Sequence, residues 1–253
     1  MERKSFKMRK VTIITVTKNC ERTIEKTIQS VFEQKFSDYE YIIIDGNSVD
    51  RTPDIIREYQ NKREIVFISE ADNGIYDAMN KGVSMAKGDF IFFLNSGDYF
   101  CNPEVLSRIN DCIDINSEAD IIYGNVKMSG RDYYNPKHLL WMQLLFLERT
   151  ICHQAIFVRK YLFEKYPFDT RYKICADREW IMYQLKNGAK IQYIQDLFVV
   201  FYDGNGASSY YDVYGSENLA ICEKYGGRFC RRFVIAKRRV GELIGHKRKW
   251  KNA

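Results

Sequence analysis

The first hundred residues alternate between short apolar runs and segments whose apolar positions recur at helical spacing. Four runs rich in β-branched and aromatic residues predict buried strands, at 11–17, 39–45, 64–70 and 89–95. The segments between them predict helices, at 20–34, 48–60 and 74–87. In the second of these, Thr52 can serve as the N-cap because Pro53 suits the first helical position. Such an alternation is typical of a mostly parallel sheet with helices on both faces, so we predict an α/β fold.

The alternation weakens after residue 100. The pattern predicts further strands at 120–128, 153–159, 189–194 and 197–202. It predicts helices at 176–188, with Gly188 just past the end, and at 212–225. It also contains a very apolar segment at 137–149 and a glycine-rich loop at 203–208. We expect this half of the chain to complete the sheet and to supply the other wall of a cleft.

Each predicted strand of the first half ends in a polar turn, and the turns read "TKN", "DGNSVD", "SEADNG" and "NSGD". Ligands of doubly wound sheets bind beyond the carboxyl ends of the strands, so we expect a ligand at this edge. In the second turn, Asp45 can accept hydrogen bonds from a ring N–H or from ribose hydroxyls. Gly46 and Asn47 after it tolerate unusual backbone angles. The alternative is a turn in which Asp45 and Asp50 only cap the next helix.

The other two turns carry further candidate ligands. "NSGD" offers a single carboxylate, Asp98, and Mg²⁺ or Mn²⁺ needs only one or two protein carboxylates when diphosphate oxygens complete its coordination. The alternative is an ordinary type I or II turn. The stretch "EADNGIYDAMNKG" is dense in Asp, Asn and Lys around a predicted helix start. It can bind an anion at the helix N-terminus, or its polar side chains can serve as caps.

Composition and charge narrow the function classes. The seven Cys residues include no Cys-x-x-Cys pair, which disfavours zinc and a disulfide framework and favours a reducing compartment. No segment has the apolar length of a signal peptide or a membrane span. The segment 228–253 contains ten Lys or Arg and one Glu, so it carries +9 and leaves −3 on the rest of a chain whose total is +6. The acidic body and the lack of a recognised motif argue against nucleic acid as a partner.

The basic segment also contains interspersed apolar residues, among them Phe229, Phe233 and Val240. A basic amphipathic helix suits an anionic membrane surface. The alternative is a C-terminal helix packed on the body of the protein.

Taken together, the turns resemble those of family 2 glycosyltransferases of the GT-A fold. The resemblance runs through "TIITVTKNCERTIEKTIQSVFEQKFSDYEYIIIDGNSVDRT" and "SEADNGIYDAMNKGVSMAKGDFIFFLNSGD", and continues in "HQAIFVRK", "YKICADREW" and "DGNGAS". The set looks most similar to bacterial capsule and exopolysaccharide transferases of the colanic-acid type. It implies a GT-A domain at 1–210, with a nucleotide-binding half at 1–100 and an acceptor-binding half at 101–210, and a helical basic tail at 211–253.

The resemblance implies an inverting glycosyltransferase with Mn²⁺ or Mg²⁺ as cofactor. The expected donor is a nucleotide-diphosphate sugar, with uridine favoured over guanosine, and the expected acceptor is a glycan or lipid-linked saccharide. The expected location is cytoplasmic and peripheral, on the inner face of the cell membrane. The loop 203–208 would close over donor and acceptor. The oligomeric state does not follow from the sequence.

The resemblance also implies residue roles. Asp98 would bind the metal, although Gly97 stands where many relatives have a second Asp in an Asp-x-Asp motif. Asp177 in "CADREW" would be the general base, with Glu179 as the alternative and an N-cap as the purely structural reading of Asp177. His153 and Gln154, at the start of a strand, would bind diphosphate or acceptor. The donor would be bound by Thr15, Val16, Thr17, Asp45, Asn47, Asp72, Asn73, Asp77, Lys81, Asn95 and Ser96.

Two other functions are consistent with parts of the pattern. A catalytically inactive nucleotide-sugar or carbohydrate-binding module is favoured only by the incomplete Asp-x-Asp motif, and the presence of both Asp98 and Asp177 argues against it. A nucleotidyltransferase would normally have a glycine-rich, basic phosphate loop near the N-terminus, and "TVTKNCERT" contains no glycine.

Overall fold

The computed structural model describes residues 11–128, 131–137, 141–146, 150–202 and 211–251. The chain divides into two compact units. The sheet unit comprises 1–137 and 151–206, and the helical unit comprises 138–150 and 207–253. The helical unit thus contains residues 138–150, which the predicted tail at 211–253 did not include. No helix within the described ranges has the length and apolar character needed to cross a membrane.

The predicted strands and helices are present near the expected positions, but the pattern did not predict the short strands Tyr99–Phe100 and Arg131–Tyr133 or the helices Val105–Ile115 and Lys160–Lys165. The strands are β1 Val11–Thr17, β2 Tyr39–Asp45, β3 Val66–Ser69, β4 Phe90–Phe93, β5 Tyr99–Phe100, β6 Ile121–Met128, β7 Arg131–Tyr133, β8 Ile156–Arg159 and β9 Ile191–Tyr202. The helices are α1 Ile24–Phe32, α2 Thr52–Gln60, α3 Ile75–Met85, α4 Val105–Ile115, α5 Trp141–Phe146, α6 Lys160–Lys165, α7 Ala176–Lys186 and α8 Tyr211–Lys251. Of these, α5 and α8 belong to the helical unit.

The described strands form one mixed sheet in the order β3-β2-β1-β4-β8-β6-β9-β5, with β7 paired to β6. Strands β1 to β4 are mutually parallel, as predicted, whereas β8 is antiparallel to both β4 and β6. The register pairs Thr17 with Asp45 and Asp45 with Ser69. The carboxyl ends of β1, β2 and β3 therefore lie level at one edge of the sheet, where the polar turns follow.

The core explains why these strands are apolar throughout. All seven residues of β1 are buried, since the strand lies between β2 and β4 with helices against the sheet. Phe92 of β4 stacks on Phe157 of β8, with 4.2 Å between ring centroids. This contact joins the parallel half of the sheet to the mixed half.

Three local predictions were wrong. Thr52 is the first residue of α2 and not its N-cap, because its hydroxyl accepts a hydrogen bond from Cys20 N while Asp50 accepts from Thr52 N. Residues 153–155 form a 3₁₀ turn, and β8 begins only at Ile156. The two short strands predicted at 189–194 and 197–202 are one strand, β9, whose pairing with β6 shifts register.

The end of α7 agrees with the prediction. Gly188 has a positive φ of 83°. Gly188 N donates to Leu185 O and Ala189 N donates to Gln184 O, which is the Schellman arrangement that satisfies the last carbonyls of a helix.

In the helical unit, α8 reverses direction at Gly227, whose φ and ψ of 71° and −177° are not helical. Arg238 Nη1 donates to Gly215 O at 3.1 Å. In a straight helix, residues 23 positions apart would be separated by about 34 Å along the axis. The segments 211–226 and 228–251 are therefore two arms of an antiparallel helical hairpin. Leu145 O of α5 accepts a hydrogen bond from Cys222 Sγ in the first arm at 3.3 Å.

Candidate functional site

Asp45, at the end of β2, is fully buried. Its carboxylate accepts hydrogen bonds from Ser48 N at 3.0 Å, from Ser69 Oγ at 2.6 Å and from the Ser48 hydroxyl. It thereby ties the turn after β2 to the end of β3. A direct contact between Asp45 and a nucleotide would require the carboxylate to give up one of these serine donors or to use its remaining lone pair. Sequence reasoning did not identify Ser48 and Ser69 as its partners.

The turn after β2 touches the turn after β3. A Cβ atom added to Gly46 would lie 2.4 Å from Asp72 Oδ2, so only glycine fits without displacing that carboxylate. Asp72 also accepts a hydrogen bond from Gly74 N at 2.9 Å. Asn47, which is exposed, has a positive φ of 60°, as its residue type allowed. Two of the predicted donor-binding turns are thus in contact.

The residues around Lys81 form a polar network at the start of α3. Lys81 Nζ lies 2.9 Å from Glu70 Oε1, 3.6 Å from Asp77 Oδ2 and 3.0 Å from Ala71 O. Asp77 Oδ2 accepts a hydrogen bond from Asn73 N at 2.9 Å, as a cap of the helix start. The lysine of the predicted anion-binding stretch is therefore already paired with two carboxylates. Lys81 holds the β3–α3 turn in place with its charge compensated.

At the end of β1, the three predicted residues differ in environment. The Thr15 side chain is fully buried and shares a 3.1 Å hydrogen bond with the Tyr41 hydroxyl, so this hydroxyl faces the interior of the sheet unit. Val16 is buried as well. Thr17 Oγ1 is buried and has no hydrogen-bond partner among the described residues. Of these three side chains, Thr17 alone offers an unused polar atom at the strand end.

The "NSGD" turn follows β4 and lies beside the end of β1. Ser96 N in the turn donates a hydrogen bond to Val16 O in β1. Asp98 N donates to Asn95 O, and Gly97 has a φ of 102°, which favours glycine. Hydrogen bonds with α1 hold the backbone of this turn in place. Thr27 Oγ1 accepts from Gly97 N at 3.0 Å and donates to Asp98 O at 2.8 Å. Thr27 did not stand out in the sequence, because its contact lies about seventy residues away along the chain.

This turn has the donor set of a hard cation or of a phosphate group. Asp98 is 4% exposed, and Asn95 Oδ1 and Ser96 Oγ are buried oxygens for which the described part of the chain provides no hydrogen-bond partner. Buried oxygens without partners are rare in folded proteins, and these two are available to a water molecule, an ion or a ligand. Within the described ranges no three His, Cys, Asp or Glu side chains cluster as a metal site. The turn therefore fits a cation whose coordination is completed by ligand oxygens.

His153 and Asp177 come together next to this turn. His153 Nδ1 lies 3.0 Å from Asp177 Oδ2, and His153 Nε2 lies 3.4 Å from Asn95 Nδ2. The 3₁₀ turn before β8 and the first turn of α7 position the pair. Both side chains are partly exposed, at 27% for His153 and 16% for Asp177. The structure thus joins the residue predicted as base to the turn predicted to hold the cation.

Asp177 has a second partner that sequence reasoning missed. The Tyr76 hydroxyl of α3 lies 3.0 Å from Asp177 Oδ1 and 2.6 Å from Ile174 O. Its single proton can serve only one acceptor at a time. Asp177 is not the N-cap of α7, because Cys175 occupies that position. Its carboxylate has about four lone pairs, so bonds from His153 and Tyr76 leave room for another donor.

The electrostatics of the pair favour its charged form. Burial by itself raises the pKa of Asp177, but the hydrogen bond and charge of His153 outweigh it and lower that pKa below the usual 3.8. Burial by itself lowers the pKa of His153, but Asp177, with a smaller contribution from Asp98, raises that pKa above 6.5. Both shifts favour a carboxylate beside an imidazolium.

Two predicted residues are turned away from solvent. Glu179 is fully buried, and its Oε1 accepts a hydrogen bond from Tyr166 OH at 3.1 Å. Gln154 is buried, and its Oε1 accepts from Cys152 Sγ. Both side chains therefore make contacts in the protein interior. The loop 203–208, predicted to close over the ligands, lies outside the described residues.

Comparison with known proteins identifies the family. Residues 12–178 match the family described as glycosyl transferase family 2. The chain is 31% identical over 200 residues, 78% of each chain, to a PGL/p-HBAD biosynthesis glycosyltransferase of Mycobacterium bovis. It is 35% identical over 103 residues, 41% of each chain, to the UDP-Glc:alpha-D-GlcNAc-diphosphoundecaprenol beta-1,3-glucosyltransferase WfaP of Escherichia coli.

Solved structures show the fold. The chain superposes on residues 1–349 of S. aureus TarS in complex with UDP-GlcNAc with a TM-score of 0.72 at 22% identity, covering 89% of this chain and 70% of that one. The match shows an α/β architecture with a mostly parallel sheet. The chain therefore belongs to glycosyl transferase family 2, is a glycosyltransferase, and has the GT-A fold.

Proposed function

We propose that this glycosyltransferase moves a sugar, with inversion, from a UDP-sugar to a hydroxyl of a lipid-linked saccharide in the synthesis of a bacterial surface polysaccharide. The observation that carries the proposal is the contact of Asn95 with His153 and of His153 with Asp177. This chain of contacts places a carboxylate with remaining lone pairs beside the turn in which Asn95 Oδ1 and Ser96 Oγ have no hydrogen-bond partner among the described residues. A displacement at an anomeric carbon needs both features, one on each side of the sugar.

The donor lies at the carboxyl ends of β1 and β4. The hydroxyls of Thr17 and Ser96 can donate to the diphosphate or ribose, and neither has a partner among the described residues. The sugar of the donor would lie next to the β3–α3 turn and the start of α3, where Lys81 holds the turn in place and the other candidate residues are Asp72, Asn73 and Asp77. The nucleotide base would lie nearest the end of β2 and the turn after it, which contain Asp45 and Asn47. TarS binds UDP-GlcNAc and WfaP is named for UDP-Glc, which favours uridine over guanosine.

Asp98 would hold Mn²⁺ or Mg²⁺, with the Asn95 and Ser96 oxygens close by. When bound, the cation stabilises the negative charge that develops on the departing diphosphate. A second carboxylate is missing at Gly97, so most of the remaining coordination sites would be filled by donor oxygens and water. Thr27 fixes the backbone of Asp98 from the opposite side and keeps the carboxylate in place.

Asp177 is the proposed general base. The acceptor hydroxyl oxygen forms a bond to the anomeric carbon while the bond from that carbon to the diphosphate oxygen breaks, and the electron pair leaves with the nucleoside diphosphate. The hydroxyl proton passes to the carboxylate of Asp177. His153 orients the carboxylate through Nδ1, and Tyr76 orients it through the other oxygen. Gln154 and Glu179 are buried and contact Cys152 and Tyr166, so neither is assigned a direct part in the transfer.

The acceptor follows from the relatives. WfaP is named for an acceptor that is a GlcNAc-diphosphoundecaprenol, which is membrane-bound through its lipid. An acceptor of that class requires the enzyme to work at a membrane surface. The net charge of +9 on 228–253 supports a peripheral position on an anionic cytoplasmic leaflet.

Nucleotide binding tests the donor assignment. In thermal-shift titrations we expect UDP to raise the melting temperature more than GDP, and Mn²⁺ to strengthen the UDP effect. Asp98→Ala should remove the Mn²⁺ enhancement. Asp111→Ala, which removes an exposed carboxylate of α4, is the matched control and should keep it. Equal Mn²⁺ enhancement in the wild type and in Asp98→Ala would exclude Asp98 as the ligand.

A catalytically inactive binding module is the second candidate, because Gly97 interrupts the usual metal motif. Turnover separates the two. Release of UDP from UDP-sugar in the presence of a lipid-linked acceptor supports the transferase. UDP binding without release, across the common UDP- and GDP-sugars, would support the binding module.

A further inference from the structure

The second arm of the helical hairpin exposes apolar side chains that a soluble protein normally covers. Phe229 is 74% exposed, Phe233 is 45% exposed and Val240 is 54% exposed. At 100° per residue, positions 229, 233 and 240 fall within about 40° of one another around the helix. They form one narrow stripe along the arm, which we name the apolar stripe. Phe146 of α5 meets Phe233 at 5.1 Å between ring centroids and leaves the stripe exposed.

The other apolar residues of this arm have different surroundings. Val234 and Cys230 are fully buried, and Cys230 Sγ contacts Leu145 O at 3.7 Å. The arm is therefore anchored by one face and presents a second apolar face outward. Exposed apolar surface arranged in this way marks an interaction site.

The flanks of the stripe are cationic. Arg228, Arg232 and Arg239 are exposed and lie on one side of it, within about 100° of Phe229 around the helix. Other cations of the arm make contacts within the helical unit, since Lys237 Nζ donates to Phe146 O of α5 at 2.9 Å and Arg231 pairs with Glu223 of the first arm at 3.4 Å. An apolar stripe with arginines along its edge is the arrangement of a helix that lies in the plane of an anionic membrane.

We infer that the apolar stripe of Phe229, Phe233 and Val240 inserts into the interface of an anionic bilayer while Arg228, Arg232 and Arg239 contact the lipid phosphates. This goes beyond electrostatic attachment of a basic tail, because it assigns an insertion surface to three side chains. It rests on the proposed function in that the acceptor is lipid-linked, but the binding itself needs neither donor nor acceptor. The bilayer is favoured over a second copy of the chain because residues 1–227 carry only −3 in total, whereas an anionic leaflet offers a continuous negative surface.

Vesicle flotation tests the surface with the full chain. The protein should float with vesicles of phosphatidylcholine and phosphatidylglycerol in equal parts. The triple variant Phe229→Ser, Phe233→Ser and Val240→Ser should lose on the order of tenfold in bound fraction, including the part that resists high salt. Val213→Ser removes an exposed apolar side chain of the first arm and should float like the parent. Equal flotation of the triple variant and the parent would overturn the inference.

A second measurement detects insertion directly. Brominated lipids quench a tryptophan that enters the interface, so Phe229→Trp should be quenched more than Val213→Trp when each is compared with the parent chain. Equal quenching would place the stripe outside the bilayer. A dimer that forms without vesicles and that the triple variant abolishes would assign the stripe to a second copy and overturn the inference.

The proposed function is tested independently. Transfer to a short soluble acceptor should be the same in the triple variant and the parent, since no stripe residue belongs to the candidate site. A parent chain that floats and is quenched but transfers no sugar would leave this inference standing and refute the transferase assignment.

Discussion

His153 Nδ1 lies 3.0 Å from Asp177 Oδ2, although the two residues come from separate elements, a 3₁₀ turn and the first turn of α7. The opposite ring nitrogen lies 3.4 Å from the side-chain amide of Asn95. One imidazole therefore connects the turn after β4 to the carboxylate proposed as the base. Movement of His153 would therefore disturb both the turn proposed to hold the cation and the proposed base.

Asp177→Asn keeps the shape of the side chain and removes the proton acceptor. We expect transfer to fall by about 10²–10⁴-fold, because that is the usual contribution of a positioned base. UDP binding in the presence of Mn²⁺ should persist. Glu179→Gln is the matched control, since Glu179 is fully buried behind the site and contacts Tyr166. If Glu179→Gln abolishes transfer and Asp177→Asn does not, the base is Glu179.

The ion pair predicts a pH-dependent stability. The raised pKa of His153 means that its contribution is fully present below 6.5 and is lost as the pH rises through the folded-state value. The lowered pKa of Asp177 means that its contribution is present above 3.8 and is lost as the pH falls through the folded-state value. The melting-temperature difference between the parent and His153→Gln should therefore be largest between pH 3.8 and pH 6.5 and should shrink as the pH rises through the folded-state pKa of His153.

The control for this pH series is Lys35→Gln, which breaks the exposed pair of Lys35 with Glu104. Its melting-temperature difference should be small throughout the series, because both side chains are exposed and solvent screens the pair. A constant difference for His153→Gln across the series would show that His153 is not charged in the folded state.

Thr27→Val should loosen the turn that carries Asp98. The substitution conserves volume but leaves Gly97 N and Asp98 O without their buried partner. We expect a loss of about 1–3 kcal/mol in the free energy of unfolding. We also expect weaker Mn²⁺ enhancement of UDP binding. Thr23→Val, in the residue before α1, removes only a 3.4 Å contact with Cys20 O and should change neither quantity appreciably.

Gly46→Ala tests the contact of the two donor turns. The new Cβ would lie 2.4 Å from Asp72 Oδ2, so the Asp72 carboxylate must move, whereas the backbone of Gly46 needs no unusual φ. We expect the KM for the donor to rise with little change in stability. In an Asp72→Ala background the same substitution should have no further effect on KM, because the residue it displaces is gone. If the effects of the two substitutions on KM are additive, displacement of Asp72 is not the cause of the Gly46→Ala effect.

The first half of the fold was accessible to sequence reasoning. Strands β1 and β2 run over the predicted residues, because an uninterrupted apolar run is distinctive in a doubly covered sheet. The carboxyl-end location of the site then follows from the parallel topology. The family resemblance added the expected roles, which periodicity alone does not contain.

The second half was less accessible for physical reasons. The exposed pair Gln195 and Asp196 interrupts the apolar pattern and looks like a turn, but Asn125 Nδ2 binds Gln195 O and Arg108 binds Asp196 O, so the strand continues through an irregular register. The role of Tyr76 depends on a contact across 101 residues. Local spacing carries no information about such a contact.

Because the chain reverses direction at Gly227, the C-terminal residues are one arm of a helical hairpin and not an extended basic tail. A chain ending at residue 227 would not simply lack a basic tail. It would keep one arm of a hairpin without the other, with Gly215 O and Glu223 deprived of Arg238 and Arg231. The cations of this arm are thus divided between holding the hairpin closed and facing outward. Substitutions in this arm therefore fall into two kinds, those that open the hairpin and those that change only the charge facing outward.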